Sequence, residues 1–299
     1  MRRCIFCGRT EAEFIDGNKW TEEHIIPESL GNETLKIYDV CKQCNSGLGT
    51  YVDKYFVDHM LVKIIRQNLG LKGQSGEVPN AFKEGRDKNG HLVRVDLDYK
   101  PHIVQYVEQS ENKLKFVAPT VEEAKKMAYK KLKRMNMTDE QIKNEFDKIT
   151  NVKNAEYRPE IGYDITVEFN RFYMEALKIA YEYAIYKLGN VYLEDKTAKT
   201  IKEYLYRAIK GEMKKECSEC PNVCMAPEFI SKILSNVKGI NCHMLFLHPD
   251  AENKLVVQVM LFLNPIFSFS VCISENATQY GIVKELPIEI VDIKYERKE

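Results

Sequence analysis

Cys4-Ile5-Phe6-Cys7, then Trp20-Thr21-Glu22-Glu23-His24-Ile25-Ile26-Pro27-Glu28-Ser29-Leu30-Gly31-Asn32, then Cys41-Lys42-Gln43-Cys44-Asn45 decide how this chain is read. Each Cys-x2-Cys turn sets two thiols on one side of a tight loop. Two such turns complete the tetrahedral ligand shell of a structural Zn²⁺. Gly8, directly after the first pair, suits the tight backbone there. Four unrelated buried thiols are the plainer reading, but two pairs at this spacing within 44 residues are hard to obtain by chance. The 33 residues between the pairs exceed the roughly 15–20 of a simple zinc ribbon, so that loop must hold something further.

The loop reads as a hairpin. Thr21 to Ile26 is a strand that Pro27 ends, Gly31-Asn32 belongs to the return, and Ile37 to Val40 is a second strand running into Cys41. Asn45 then stands at the start of a helix from about Cys44 to Gln67, with apolar residues at Leu48, Val52, Phe56, Met60 and Ile64. Asn68-Leu69-Gly70 closes it. Zinc would pin the two ends of this hairpin-then-helix unit together.

On Cys4, Cys7, Glu23-His24-Ile25-Ile26-Pro27, Cys41, Cys44-Asn45 and Leu48-Gly49, the chain resembles the HNH endonuclease family and its ββα-metal fold. It is most similar to the branch with a four-cysteine zinc knuckle, over about residues 4–60. The resemblance implies that His24 is the general base for the water that attacks a scissile phosphate. It implies that Glu23 and Asn45 ligate one divalent ion (Mg²⁺, Mn²⁺ or Ni²⁺) that polarises the phosphoryl oxygen and stabilises the leaving 3′-oxygen. The products would carry 5′-phosphate and 3′-hydroxyl ends. Double-stranded DNA is the implied partner, in bacterial defence, restriction or mobile-element biology. A double-strand cut would favour a homodimer, since one such site attacks one strand at a time. The residue types suit this chemistry by themselves: histidine titrates near neutral pH, and a carboxylate with an amide carbonyl are hard oxygen ligands. One position departs from the pattern. The family's middle asparagine, five residues before the third cysteine, is Lys36 here, and Asn32 is the alternative brace for the histidine loop.

Outward from this stretch, the remaining signals are weaker. Lys plus Arg equals Asp plus Glu at 44 each, so no global field advertises a nucleic-acid or membrane partner. An apolar fraction of 44% with 29% charged residues excludes disordered and collagen-like classes. The N-terminus has no apolar signal segment, and the longest apolar run, Leu255 to Ile273, is broken at Gln258, Asn264 and Pro265. It reads as two buried strands about a turn, so no membrane partner is expected and the expected compartment is the cytoplasm. There the nine cysteines would be reduced, which favours metal ligation over disulfides.

The expected class is therefore α+β: a zinc-braced ββα-metal module at residues 1–70, followed by a larger mixed α+β domain at residues 71–299 that selects substrate or partner. In the second part, strands are expected at His91–Tyr99, Ile103–Glu108, Leu114–Ala118 and Ile165–Phe169. Helices are expected from Thr120, Thr138, Phe172, Thr197 and Pro227, with strands again from Ile240 to Ile293. Lys126, Lys130, Lys133 and Arg134 share a helix face that would neutralise phosphates or simply face solvent. Cys217, Cys220 and Cys224, with Cys242, His243 or His248, would make a second metal site or stay free thiols in a loop. Tyr173, Tyr181, Tyr183, Tyr186, Tyr204 and Tyr206 read as packed helix surface before base-stacking platforms. Two other functions stay open at this point: an inactive zinc-containing nucleic-acid-binding protein, and an effector nuclease gated through the second domain.

Overall fold

The computed structural model describes residues 2–111, 113–149, 158–213, 220, 222–226, 241–282, 284 and 286–293. The chain forms two compact units, one of residues 1–79 with 167–299 and one of residues 80–166. This division does not run at residue 70. The last 133 residues return to the unit that holds the N-terminal stretch, and the intervening segment forms the other.

In the first unit, β1 (Trp20–His24) and β2 (Lys36–Cys41) make the expected antiparallel hairpin. Its register pairs Trp20 with Cys41, Glu23 with Ile37 and His24 with Lys36, with a bulge between Thr21 and Glu23. The long helix expected after Cys44 is divided. α1 (Lys42–Leu48) passes through a π turn at Gly49–Asp53 into α2 (Lys54–Val57), and α3 (Met60–Leu69) starts anew. The break has a local cause. His59 leaves the helical region at ψ 139° and its Nδ1 accepts the Leu61 N–H at 3.2 Å, so it caps α3. Gly70 closes α3 in the left-handed conformation, φ +68°.

The second unit comes next in the chain. β3 (Glu84–Asp87), β4 (Leu92–Val95), β5 (Pro101–Ile103), β6 (Tyr106–Ser110), β7 (Lys113–Val117), α4 (Val121–Arg134), α5 (Asp139–Asp147) and β8 (Ile161–Gly162) compose it. Its four-stranded sheet has order β5-β4-β3-β8, and β6 and β7 form a separate hairpin. The expected strand at His91–Tyr99 ends early because Asp96 turns the chain, its Oδ1 accepting the N–H groups of Asp98 and Lys100 at 2.9 and 2.8 Å. Thr120 caps α4 through the Glu123 N–H, and Thr138 with Gln141 forms a reciprocal capping box on α5.

The chain then rejoins the first unit with α6 (Phe169–Leu188), α7 (Lys196–Ile209), β9 (Val223–Met225), β10 (Cys242–Pro249), β11 (Leu255–Met260), β12 (Ser268–Ser274) and β13 (Glu289–Asp292). The strand expected at Ile165–Phe169 is not formed. Phe169 instead opens α6, whose apolar spacing already includes it. The sheet order is β13-β10-β11-β12-β9. All six residues of β11 are buried, which is why Leu255–Met260 shows no apolar–polar alternation. The helix expected at Pro227–Asn236 lies outside the described residues, as does Cys217.

α6 runs through the middle of the unit's core and packs on α2, β11 and β12. Phe56 of α2 meets Phe172 of α6 edge-to-face at 5.2 Å between centroids, and Phe267 at 5.7 Å. α7 packs on α1 where Gly47 admits it. A Cβ on Gly47 would stand 2.6 Å from both Ile209 Cγ2 and Ile209 O. The N-terminal hairpin and helix are thus built into the same core as the C-terminal elements. Among the described residues, no helix is long and apolar enough to cross a membrane.

Candidate functional site

The two cysteine turns converge. The Sγ atoms of Cys4, Cys7, Cys41 and Cys44 all lie within 4.8 Å of one another, and Cys7 and Cys41 are 3.8 Å apart. A Zn²⁺ with bonds of about 2.3 Å to four tetrahedral sulfurs requires sulfur separations of about 3.8 Å. The residues therefore fit the metal. Gly8 makes the first turn possible, since it sits at φ +73° while its N–H closes back on Cys4 O at 2.8 Å. The Cys41 N–H points at Cys4 Sγ at 3.5 Å, as expected around a thiolate. The thiols share protons unequally. Hydrogen bonding from Cys4 holds Cys7 down to about 7 and Cys41 lower still, while hydrogen bonding with Cys41 pushes Cys4 up and hydrogen bonding with Cys4 pushes Cys44 up. A Zn²⁺ held by these four would clamp the start of the chain to the β2–α1 junction.

His24 ends β1, half-buried, with Ile25 and Ile26 after it in the core. Burial, then the facing Lys36 ammonium, pulls its pKa below the ordinary value. At neutral pH the imidazole is therefore uncharged and able to accept a proton. Lys36, in register opposite His24, pairs with Glu22 at 3.0 Å. Asn45 ties α1 to β1, its Nδ2 donating to Glu22 O at 2.7 Å.

Asn32 is buried and fully used. Its Nδ2 donates to Ile26 O at 2.7 Å and Leu35 O at 2.9 Å, and its Oδ1 accepts the N–H groups of Thr34 and Leu35 at 3.1 and 2.9 Å. It cross-links the loop between β1 and β2 just after His24. This is the brace that Lys36 cannot supply.

Glu23 faces the other way. It is 5% exposed and its carboxylate meets the ammonium of Lys178 on α6 at 2.9 Å. Lys178 is 0% exposed. Its Nζ also donates to His24 O at 3.0 Å and Ile25 O at 3.4 Å, with Asp53 Oδ1 at 3.4 Å and Glu182 Oε2 at 3.6 Å. Glu175, one turn earlier on α6, is fully buried beside Asp53. Four carboxyl groups thus surround one ammonium. Burial pushes Glu175 and Glu182 well above their ordinary value. Burial raises Glu23 to about 7 against the pull of Lys178. Burial opposes the charge on Lys178, but Asp53, Glu182 and Glu23 outweigh it and keep the amine protonated.

The Glu23 carboxylate thus lies inside against Lys178, and the Asn45 amide nitrogen is spent on Glu22 O. Among the described residues, the grouping with metal-ligand spacing is the four-cysteine one. Cys220, Cys224, Cys242, His243 and His248 make none. His243 is instead a buried structural imidazole, accepting the Phe262 N–H at 3.1 Å and donating to Leu30 O at 3.1 Å. Burial pulls it down to about 4. Tyr181 and Tyr183 are buried and donate to Ile5 O and Leu245 O at 2.8 and 3.2 Å, so they pack and do not stack on bases. On α4, Lys133 pairs with Asp139 at 2.8 Å while Lys125, Lys126, Lys130 and Arg134 are exposed.

Comparison with known proteins agrees with this geometry over the N-terminal segment. Residues 4–61 match the HNH endonuclease family. This segment is an HNH endonuclease module. No curated protein and no solved structure matches the chain. The HNH match places the segment in a nuclease family, with nucleic acid as the substrate class, and that family includes inactive members. It stops before α6, so it does not reach Lys178, Glu175 or Glu182. Sequence reading did not single these out either, nor Asp53. The available signal was charge at i, i+3 and i+7 within a helix otherwise apolar on most faces.

Proposed function

We propose that this protein hydrolyses phosphodiester bonds of DNA, with His24 as the general base. The observation that supports it most is the neutral imidazole of His24, half-exposed at the end of a hairpin that is fixed from three sides. The four-thiol knuckle holds the hairpin's base, Asn32 holds the loop after His24, and Lys178 holds the carbonyls of His24 and Ile25. A main chain fixed in this way narrows where the imidazole meets its water, and proton abstraction by a positioned base contributes on the order of 10²–10⁴ in rate. Divalent-ion dependence is part of what HNH membership implies. At Glu23 the carboxylate is already neutralised by Lys178, so the chemistry argued from this chain rests on the imidazole.

Supercoiled plasmid incubated with the purified full chain tests the proposal, without added ion and with Mg²⁺, Mn²⁺ or Ni²⁺. Nicking by the wild type that falls at least about 100-fold in a folded His24→Ala variant is the expected result. Equal cutting by the variant removes His24 as the base. Plasmid binding without cutting, indifferent to His24→Ala, makes the protein a binding module.

A further inference from the structure

We infer that Lys178 is a tethered counter-ion standing where HNH membership would put a divalent ion, and that Glu23 is a partner of this lysine and not a metal ligand. The inference concerns the HNH module but does not depend on whether His24 cuts DNA.

The geometry is that of an ammonium in an oxygen cage. Three carboxylates and two main-chain carbonyls lie at 2.9–3.6 Å from Lys178 Nζ. These are hydrogen-bond and ion-pair distances. Oxygen ligands close on Mg²⁺ or Ca²⁺ at about 2.0–2.6 Å, and among the described residues the grouping with metal-ligand spacing is the four-cysteine one and not these carboxylates. An ammonium has three N–H donors. Glu23 Oε1 and His24 O take two at 2.9 and 3.0 Å, and Ile25 O or Asp53 lies in reach of the third at 3.4 Å.

The surroundings hold the lysine there. Ala176, Leu177, Ile179 and Ala180, the neighbours of Lys178 on α6, are all fully buried. A divalent ion bound to Glu23 would have to displace an ammonium whose side chain is 0% exposed. Expelling it would also leave a buried charge without partners, which is strongly unfavourable. Lys178 is at the same time a positioning residue, because its bonds to the carbonyls of His24 and Ile25 fix the main chain that carries the imidazole.

Manganese binding tests the ligand claim without reference to activity. The zinc-loaded full chain is titrated with Mn²⁺ by electron paramagnetic resonance, as wild type and as Glu23→Gln. A lost carboxylate ligand weakens a metal site by at least about tenfold. The inference expects Glu23→Gln to change the Mn²⁺ dissociation constant by less than about twofold. A weakening of tenfold or more overturns it. A wild type that binds no Mn²⁺ also satisfies it, and counts instead against divalent-ion dependence of the nuclease. The counter-ion claim is tested by unfolding midpoints of Lys178→Met, Glu23→Gln and the double variant. The double variant should lie clearly above the sum of the two single effects, or fold where Lys178→Met alone does not. Strict additivity overturns the pairing.

Discussion

Two clusters in this protein bring several anionic groups to one point, and they solve the problem in opposite ways. At the knuckle, four thiols approach within 4.8 Å of one another. Behind the hairpin, four carboxyl groups gather around Lys178, whose ammonium is at the centre. The first arrangement has the spacing to hold a metal ion. The second already holds a side-chain ammonium. The difference teaches that acidic residues at a family's metal position do not by themselves make a metal site: what counts is whether the chain has already supplied the charge. It also shows why the N-terminal module is not separate from the rest. The knuckle lies within residues 4–44, but the cage closes only when α6, more than a hundred residues later, delivers Lys178.

The largest way to break the comparison is at the knuckle. Structural zinc contributes on the order of 10 kcal/mol to small zinc domains, which is comparable with the whole stability of a domain. Cys41→Ser should therefore lose both zinc, read by atomic emission as metal per chain, and the cooperative unfolding transition in circular dichroism. A variant that stays folded without zinc would make the knuckle a mere packing of thiols. At the cage, Lys178→Met leaves buried carboxylates without their cation and should cost about 3–5 kcal/mol in chemical denaturation at pH 7. A loss below about 1 kcal/mol would place that lysine among ordinary surface pairs.

Between the two clusters stands Asn32. Removing its amide strands the carbonyl of Ile26 and the N–H of Leu35, so Asn32→Ala should cost about 3 kcal/mol by the same measurement. An unchanged midpoint would mean that water replaces the amide and that the loop needs no brace. The smallest effect is a slope. Glu175 keeps in the folded state a proton that the unfolded chain releases above about pH 4.5. Its contribution is thus full below that pH and is lost as pH rises towards the folded pKa. Glu175→Gln should gain stability relative to wild type as pH rises from about 4.5 to 8. A parallel pair of pH–stability curves would show that the cage tolerates this carboxylate ionised.

Much of the N-terminal module was legible in the sequence. Paired cysteines, Glu23-His24 and Pro27 are local signals, and the hairpin they imply forms as expected. The helix after Cys44 was legible in its apolar spacing but not in its break, because a histidine cap at His59 is a poor sequence signal beside Ser, Thr, Asp or Asn. The strand expected at Ile165–Phe169 failed because a short apolar run has no period of its own, and its last residue opens α6. Asn32 could be named as a brace, but its four bonds depend on the loop's fold. Lys178 was invisible for a different reason. A lysine in an apolar helix acquires meaning only from Glu23 and Asp53, and their convergence is a property of tertiary packing. The same holds for the return of residues 167–299 to the first unit, which no composition change along the chain announces.

The central claim is that one cluster takes a metal and the other already has its cation. Diffraction at the zinc and manganese absorption edges, from crystals grown with both ions, tests it most directly. The account predicts a zinc peak among Cys4, Cys7, Cys41 and Cys44, and density for Lys178 against Glu23 with no manganese there. A manganese ion on the Glu23 carboxylate, with Lys178 displaced, would contradict it.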